Sequence, residues 1–172
     1  MTPEFSRPER LDAIGAGERE VRIAADPAER TALAARFGVL SVDRLEAALG
    51  LRREAAGIAV RGRVTGDVVQ ACSVTGAPLP ATIDEAVALL FVESLDGREE
   101  VELDAGALDT VEIEGGVIDL GEAAAETMAL ALDPFPRSAE AAAALREAGV
   151  VSEDEHKPLG ALHNLKSLLE GR

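Results

Sequence analysis

The sequence predicts an α+β fold: an antiparallel β-sheet laid down as a meander, covered by helices, with a C-terminal helix docked back. Three observations carry this. Between residues 42 and 93 apolar side chains recur at alternate positions, the period of strands with one buried face. The segments 27–37 and 120–132 each open on an acidic cap and continue at helical spacing. Near the end, Leu159, Leu162, Leu165 and Leu169 form one apolar stripe on a helix over 158–169.

In chain order, residues 1–18 are polar, with scattered Gly and Pro, and read as extended or partly mobile. Glu20–Ala24 alternates as a short strand. Asp26, Pro27 and Glu29 then spell a capping box with proline at the first helical position. Leu33 and Phe37 share a face of that helix, and Gly38 stops it.

Leu45, Ala47, Leu49 and Leu51 take one parity while Arg44, Glu46 and Arg52 take the other, although Ala and Leu also favour helix. A turn at 53–57 leads to a second strand with Ile58, Val60, Gly62, Val64, Gly66 and Val68 on one face. Its two glycines predict a bend, a bulge or a close neighbour. After a turn at 75–80, residues 81–93 make a third strand. Short strands fit 101–103 and 111–113. Asp119 and Glu122 open a second capping box, and Pro134 ends the helix it begins. An Ala-rich segment, 138–148, reads as a solvent-facing helix before the charged stretch 150–157. With 172 residues and no internal repeat, a single domain over 1–172 is expected, with 94–116 as an acidic loop region and 138–157 loosely ordered.

Net charge is −15 and unevenly placed. Residues 84–126 hold fourteen acids against Arg98 alone, whereas residues 1–83 hold eleven of each sign. Such a block either solubilises a surface or attracts a basic partner, and it repels phosphate. The absence of Trp and Tyr argues against single-strand binding by base stacking. One cysteine precludes an internal disulfide. The N-terminal residues lack an apolar leader segment, and no apolar run approaches the roughly 20 residues of a membrane helix. A cytoplasmic protein without membrane association is expected.

Candidate sites are few. Cys72 has no second cysteine near it, and His156 and His163 do not complete a zinc pattern, so no metal and no cofactor are expected. The acids between 93 and 104 lack the order of a calcium loop. A thiol or carboxylate hydrolase would need a base and an orienting group that no motif supplies, so neither an enzyme nor a small-molecule substrate is expected. Arg52, Arg53, Arg61 and Arg63 flank one hairpin. With the turn near Gly57, Arg52, Arg61 and Arg63 share an exposed face, where they can meet phosphates or neighbouring carboxylates.

The residues Gln70, Cys72, Val74, Thr75 and Pro78 resemble the bacterial YceD-like family, the large ribosomal RNA subunit accumulation proteins. The resemblance continues through Ile118-Asp119-Leu120-Gly121-Glu122, Glu126, and Leu130 to Arg137 with Pro134 and Pro136. It ends at Pro158-Leu159, Ala161-Leu162 and Leu165-Lys166. Phe5-Ser6-Arg7-Pro8 and the stretch Leu33–Gly38 fit one bacterial branch.

The resemblance implies a non-catalytic role in synthesis, processing or stability of 23S ribosomal RNA. It also implies genes set beside that of a small basic large-subunit protein. Many members carry a second cysteine where this chain has Thr75, so no metal site carries over. Two partners follow as expectations. Pre-ribosomal large-subunit RNA would be held by the four arginines. Alternatively, an acidic chaperone would hold a basic ribosomal protein on 93–114, through Glu99, Glu100, Glu102 and Asp104.

Overall fold

The alternating run becomes three long strands, and the helices at 27–37 and 120–131 lie where their caps predict. The structure, a computed structural model, describes residues 3–93, 109–113 and 115–150. In chain order the strands are β1 (Pro8–Arg10), β2 (Arg19–Ala24), β3 (Ser41–Glu54), β4 (Gly57–Ala71), β5 (Pro78–Val92), β6 (Asp109–Glu112) and β7 (Val117–Asp119). The helices are α1 (Pro27–Phe37), α2 (Leu120–Ala131) and α3 (Ala141–Glu147). Strands β2-β3-β4-β5 are neighbours in sequence order and antiparallel, and β6 joins the far edge parallel to β5. The meander is therefore present, with one parallel strand that alternation did not foretell. Parallel strands cannot be joined by a tight hairpin, and sixteen residues separate β5 from β6. β1 and β7 form a separate antiparallel pair.

Strand parity is as the sequence reads. Leu51 faces Val60, Ala47 faces Val64, and all four are buried. The two strand glycines have different neighbours. A Cβ on Gly62 would stand 2.0 Å from the Ala48 carbonyl oxygen, and one on Gly66 would stand 2.0 Å from the Met128 Cε. Gly62 thus admits the neighbouring strand backbone, and Gly66 admits α2.

α1 packs on β3 and α2 on β4 and β5, so both cover the same sheet face and bury Leu33, Ala124 and Met128 in the core. The α1 capping box is complete. Asp26 accepts from the Ala28 and Glu29 N–H, while the Glu29 carboxylate accepts from the Asp26 N–H at 2.8 Å. The α2 box is only half made. Asp119 caps, but the Glu122 side chain is drawn instead to Arg36 at 2.5 Å. An ion pair to another helix outcompetes a neutral backbone donor.

Residues 3–18, polar enough to suggest mobility, are anchored by two buried apolar side chains, Phe5 and Ile14. Phe5 is 0% exposed, and the chain behind it runs on through β1. The segment 138–148 contains α3, with Ala141 buried. The expected strand at 101–103 and the terminal helix over 158–169 lie outside the described residues.

Candidate functional site

The residues singled out by sequence gather in three places. The first is the hairpin of β3 and β4. Arg52 and Arg61 lie on the outer sheet face, away from the helices, and share one carboxylate: Glu54 accepts from Arg52 at 2.6 Å and from Arg61 at 3.1 Å. Arg63, on the same face, pairs with Asp84 of β5 at 2.5 Å. These side chains are about half exposed. The two arginines hold the Glu54 carboxyl below the usual carboxylate range. Arg53 has the opposite parity. Its guanidinium donates to the Ile14 carbonyl at 3.0 Å and to the Leu11 carbonyl, and its N–H donates to Gly15. It therefore ties down the N-terminal segment, and three of the four arginines share a face.

The second place is the turn after β4. Cys72 is 3% exposed, and its sulfur accepts from the Ser138 N–H at 3.3 Å and the Thr75 N–H at 3.5 Å. The Gln70 amide donates to the Asp133 carbonyl at 2.9 Å, and the Ser73 N–H donates to the Pro136 carbonyl at 2.8 Å. Gln70 and Cys72, with the Pro134–Pro136 segment, thus form one dock that fixes the end of α2 against the hairpin. Pro78 opens β5 opposite Ala71. Thr75 occupies the turn and accepts from the Ala77 N–H at 3.3 Å. With Thr75 in place of a thiol, this turn does not make a metal-ligand pair. Among the described residues no three of His, Cys, Asp and Glu cluster to hold an ion.

The hydrogen bonds from Thr75, and then from the Ser138 N–H, pull the Cys72 thiol down from 9.0 to about 6. The folded chain then holds a thiolate between pH 6 and 9, where the unfolded chain takes up a proton. Stability from this group is full above the unfolded value and is lost as pH falls through about 6. Ultraviolet thiolate absorbance should therefore titrate near 6, and Cys72→Ala should flatten the rise of stability across that window. A native titration midpoint near 9 would exclude the bonded thiolate.

The third place is the start of α2. The Asp119 carboxylate accepts from the Gly121 and Glu122 N–H, from the Arg7 N–H at 2.7 Å and from the Ser6 hydroxyl at 2.5 Å. Leu120 is buried, and its N–H donates to the Arg7 carbonyl. Arg7 in turn reaches Glu29 of α1 at 2.7 Å and lies over the Phe5 ring at 4.6 Å. The pair with Arg7 holds the Glu29 carboxyl low. The cap is legible in the sequence but the clasp is not, because nothing local ties Ser6 to a residue 113 positions away. Its only local hint is a lone Phe in a polar stretch.

Glu126 differs from Asp119. It is exposed on α2 and lines a groove between that helix and the β5–β6 edge. The acids Glu99, Glu100, Glu102 and Asp104 lie outside the described residues, as do His156 and His163. No helix among the described residues is long and apolar enough to cross a membrane.

Comparison with curated proteins and with solved structures gives no match. A family model does match. Residues 60–166 fit the model described as large ribosomal RNA subunit accumulation protein YceD. That span holds the Cys72 turn, the Asp119 cap and all of α2 and α3. The chain therefore belongs to the YceD family, whose description ties it to the accumulation of large-subunit ribosomal RNA.

Proposed function

We propose that the protein is a non-catalytic, cytoplasmic factor that supports synthesis, processing or stability of 23S ribosomal RNA. In this reading it contacts RNA through the outer face of the β3–β4 hairpin. The observation that carries the contact is the convergence of Arg52, Arg61 and Arg63 on one open face, where the half-exposed guanidinium groups pair with the partly buried Glu54 and the exposed Asp84. Exposed ion pairs are worth about 0–1 kcal/mol each, so a phosphate can displace Asp84 at little cost, and the half-exposed Arg52 and Arg61 can turn to it from their shared Glu54. A guanidinium presents a phosphate with two parallel donors, which favours that exchange. Contacts to phosphate position RNA without reading its sequence. The family's link to large-subunit RNA supports the choice of polymer.

The test is filter binding of a large-subunit ribosomal RNA transcript across a salt series. Replacing Arg52, Arg61 and Arg63 with Ala should weaken binding and lower the salt slope by about one unit per lost contact. Glu54→Gln with Asp84→Asn should act in the opposite sense and tighten it. Arg53→Ala should lower stability and leave RNA affinity in place. Unchanged affinity in the triple variant would refute the arginine contact.

A further inference from the structure

The described residues do not fully cover the inner face of the sheet. α2 lies over β4 and the near part of β5, where Met128 fills the space above Gly66. Beyond it the edge formed by β5 and β6 bounds a groove of about 810 Å³ against the outer flank of α2. Its floor is apolar: Val87, Leu89, Val111, Ile113 and Val117, with Leu130 of α2 at the wall. Leu130 is 88% exposed, an unusual placement for leucine on a helix that buries its other face.

The rim is acidic throughout. Among the described residues six acids line the groove and no Lys or Arg does. Asp119 and Glu122 are engaged in the clasp and with Arg36. Asp109, Glu112 and Glu126 form no ion pair among the described residues.

We propose that this groove is a docking site for a cationic amphipathic segment of a partner protein. The partner's apolar side chains would fill the floor, and its Lys and Arg residues would meet the rim. An apolar trough flanked by one sign of charge selects a segment with apolar residues on one side and the opposite charge on the other. Charge also argues against the nearest competitors. A second copy would bring a chain of net charge −15 against an acidic rim. The 94–108 connection carries five acids and one base, so its charge also opposes seating there. This site lies on the helix-bearing face, opposite Arg52, Arg61 and Arg63, and does not depend on the RNA reading.

The experiment uses the full chain and fluorescence anisotropy. The probe is a synthetic peptide with Leu on one helical face and Lys on the other, beside a Gly-Lys peptide of equal charge. The amphipathic peptide should bind more tightly than the Gly-Lys control. Leu130→Asp, exposed and therefore tolerable to the fold, should weaken it about tenfold or more, as should Glu112→Lys with Glu126→Lys. RNA affinity should persist in these variants, and peptide affinity should persist in the arginine triple variant, so the two readings fail separately.

Equal binding of both peptides, or indifference to the groove substitutions, would overturn the proposal. So would a marked gain in peptide affinity in Leu162→Gln with Leu165→Gln, because the chain's own C-terminal segment would then be the occupant. Binding that appears only as the protein dimerises would assign the face to a second copy and overturn it equally.

Discussion

Replacing Gly121 with Val is expected to destabilise the protein by about 3 kcal/mol, the upper range for overpacking a well-filled site. Gly121 is the second residue of α2 and is buried. A Cβ there would stand 2.4 Å from the Phe5 carbonyl oxygen, 2.8 Å from its carbon and 3.0 Å from the Arg7 nitrogen. All three are backbone atoms of the clasp, so no side-chain rotation can relieve the contact. Even Ala should destabilise, although Gly→Ala in a helix ordinarily stabilises by about 1 kcal/mol. That reversal of sign is the diagnostic result. Gly15, whose Cβ would meet nothing within 4 Å, is the control and should tolerate Ala. Urea denaturation monitored by circular dichroism reads both. A stabilised Gly121→Ala variant would mean that Phe5 and Arg7 do not pack on α2.

The second large effect is expected at Asp119. One carboxylate accepts two N–H groups at the start of α2, one from Arg7, and the Ser6 hydroxyl. Loss of a helix cap costs about 1 kcal/mol, and each further hydrogen bond contributes roughly 1 kcal/mol. Asp119→Ala should therefore lose about 3 kcal/mol in total, less if water reaches the exposed donors. Asp119→Asn keeps an acceptor for the cap and should recover more than half. Ser6→Ala removes one bond and should cost roughly 1 kcal/mol. The three values come from denaturant midpoints, and a double variant of Ser6 and Asp119 measures their coupling. If Asp119→Ala were no worse than an isolated cap loss, the clasp would carry no energy.

Both positions hold backbone or side-chain groups of residues 1–18, a segment whose sequence reads as extended or partly mobile. Local composition supports that reading, since polar residues, Gly and Pro together make up most of residues 1–18. What overrides it is one phenylalanine whose pocket is made by distant residues, and a carboxylate whose capping role was legible while its other partners were not. Arg53 shows the same limit on a smaller scale. Four arginines within twelve residues are together expected to hold RNA, although alternation already sets Arg52, Arg61 and Arg63 on one face and leaves only the partner of Arg53 unread. Strand parity separates them, because adjacent residues on a strand point to opposite faces. Arg53 turns to the N-terminal carbonyls, while Arg52 shares Glu54 with Arg61.

By itself the sequence determined the strand and helix order from 20 to 93, the helix that follows Asp119, the buried parity of β3 and β4, both helix caps and the family. Each depends on periodicity, capping chemistry or motif order within a short window. The tertiary structure decided the parallel placement of β6, the clasp between Phe5–Arg7 and Asp119, the pairing of each arginine, and the acid-rimmed groove beside α2. These depend on which side chains meet across many intervening residues. Such meetings are set by how whole elements pack, and no local pattern encodes them.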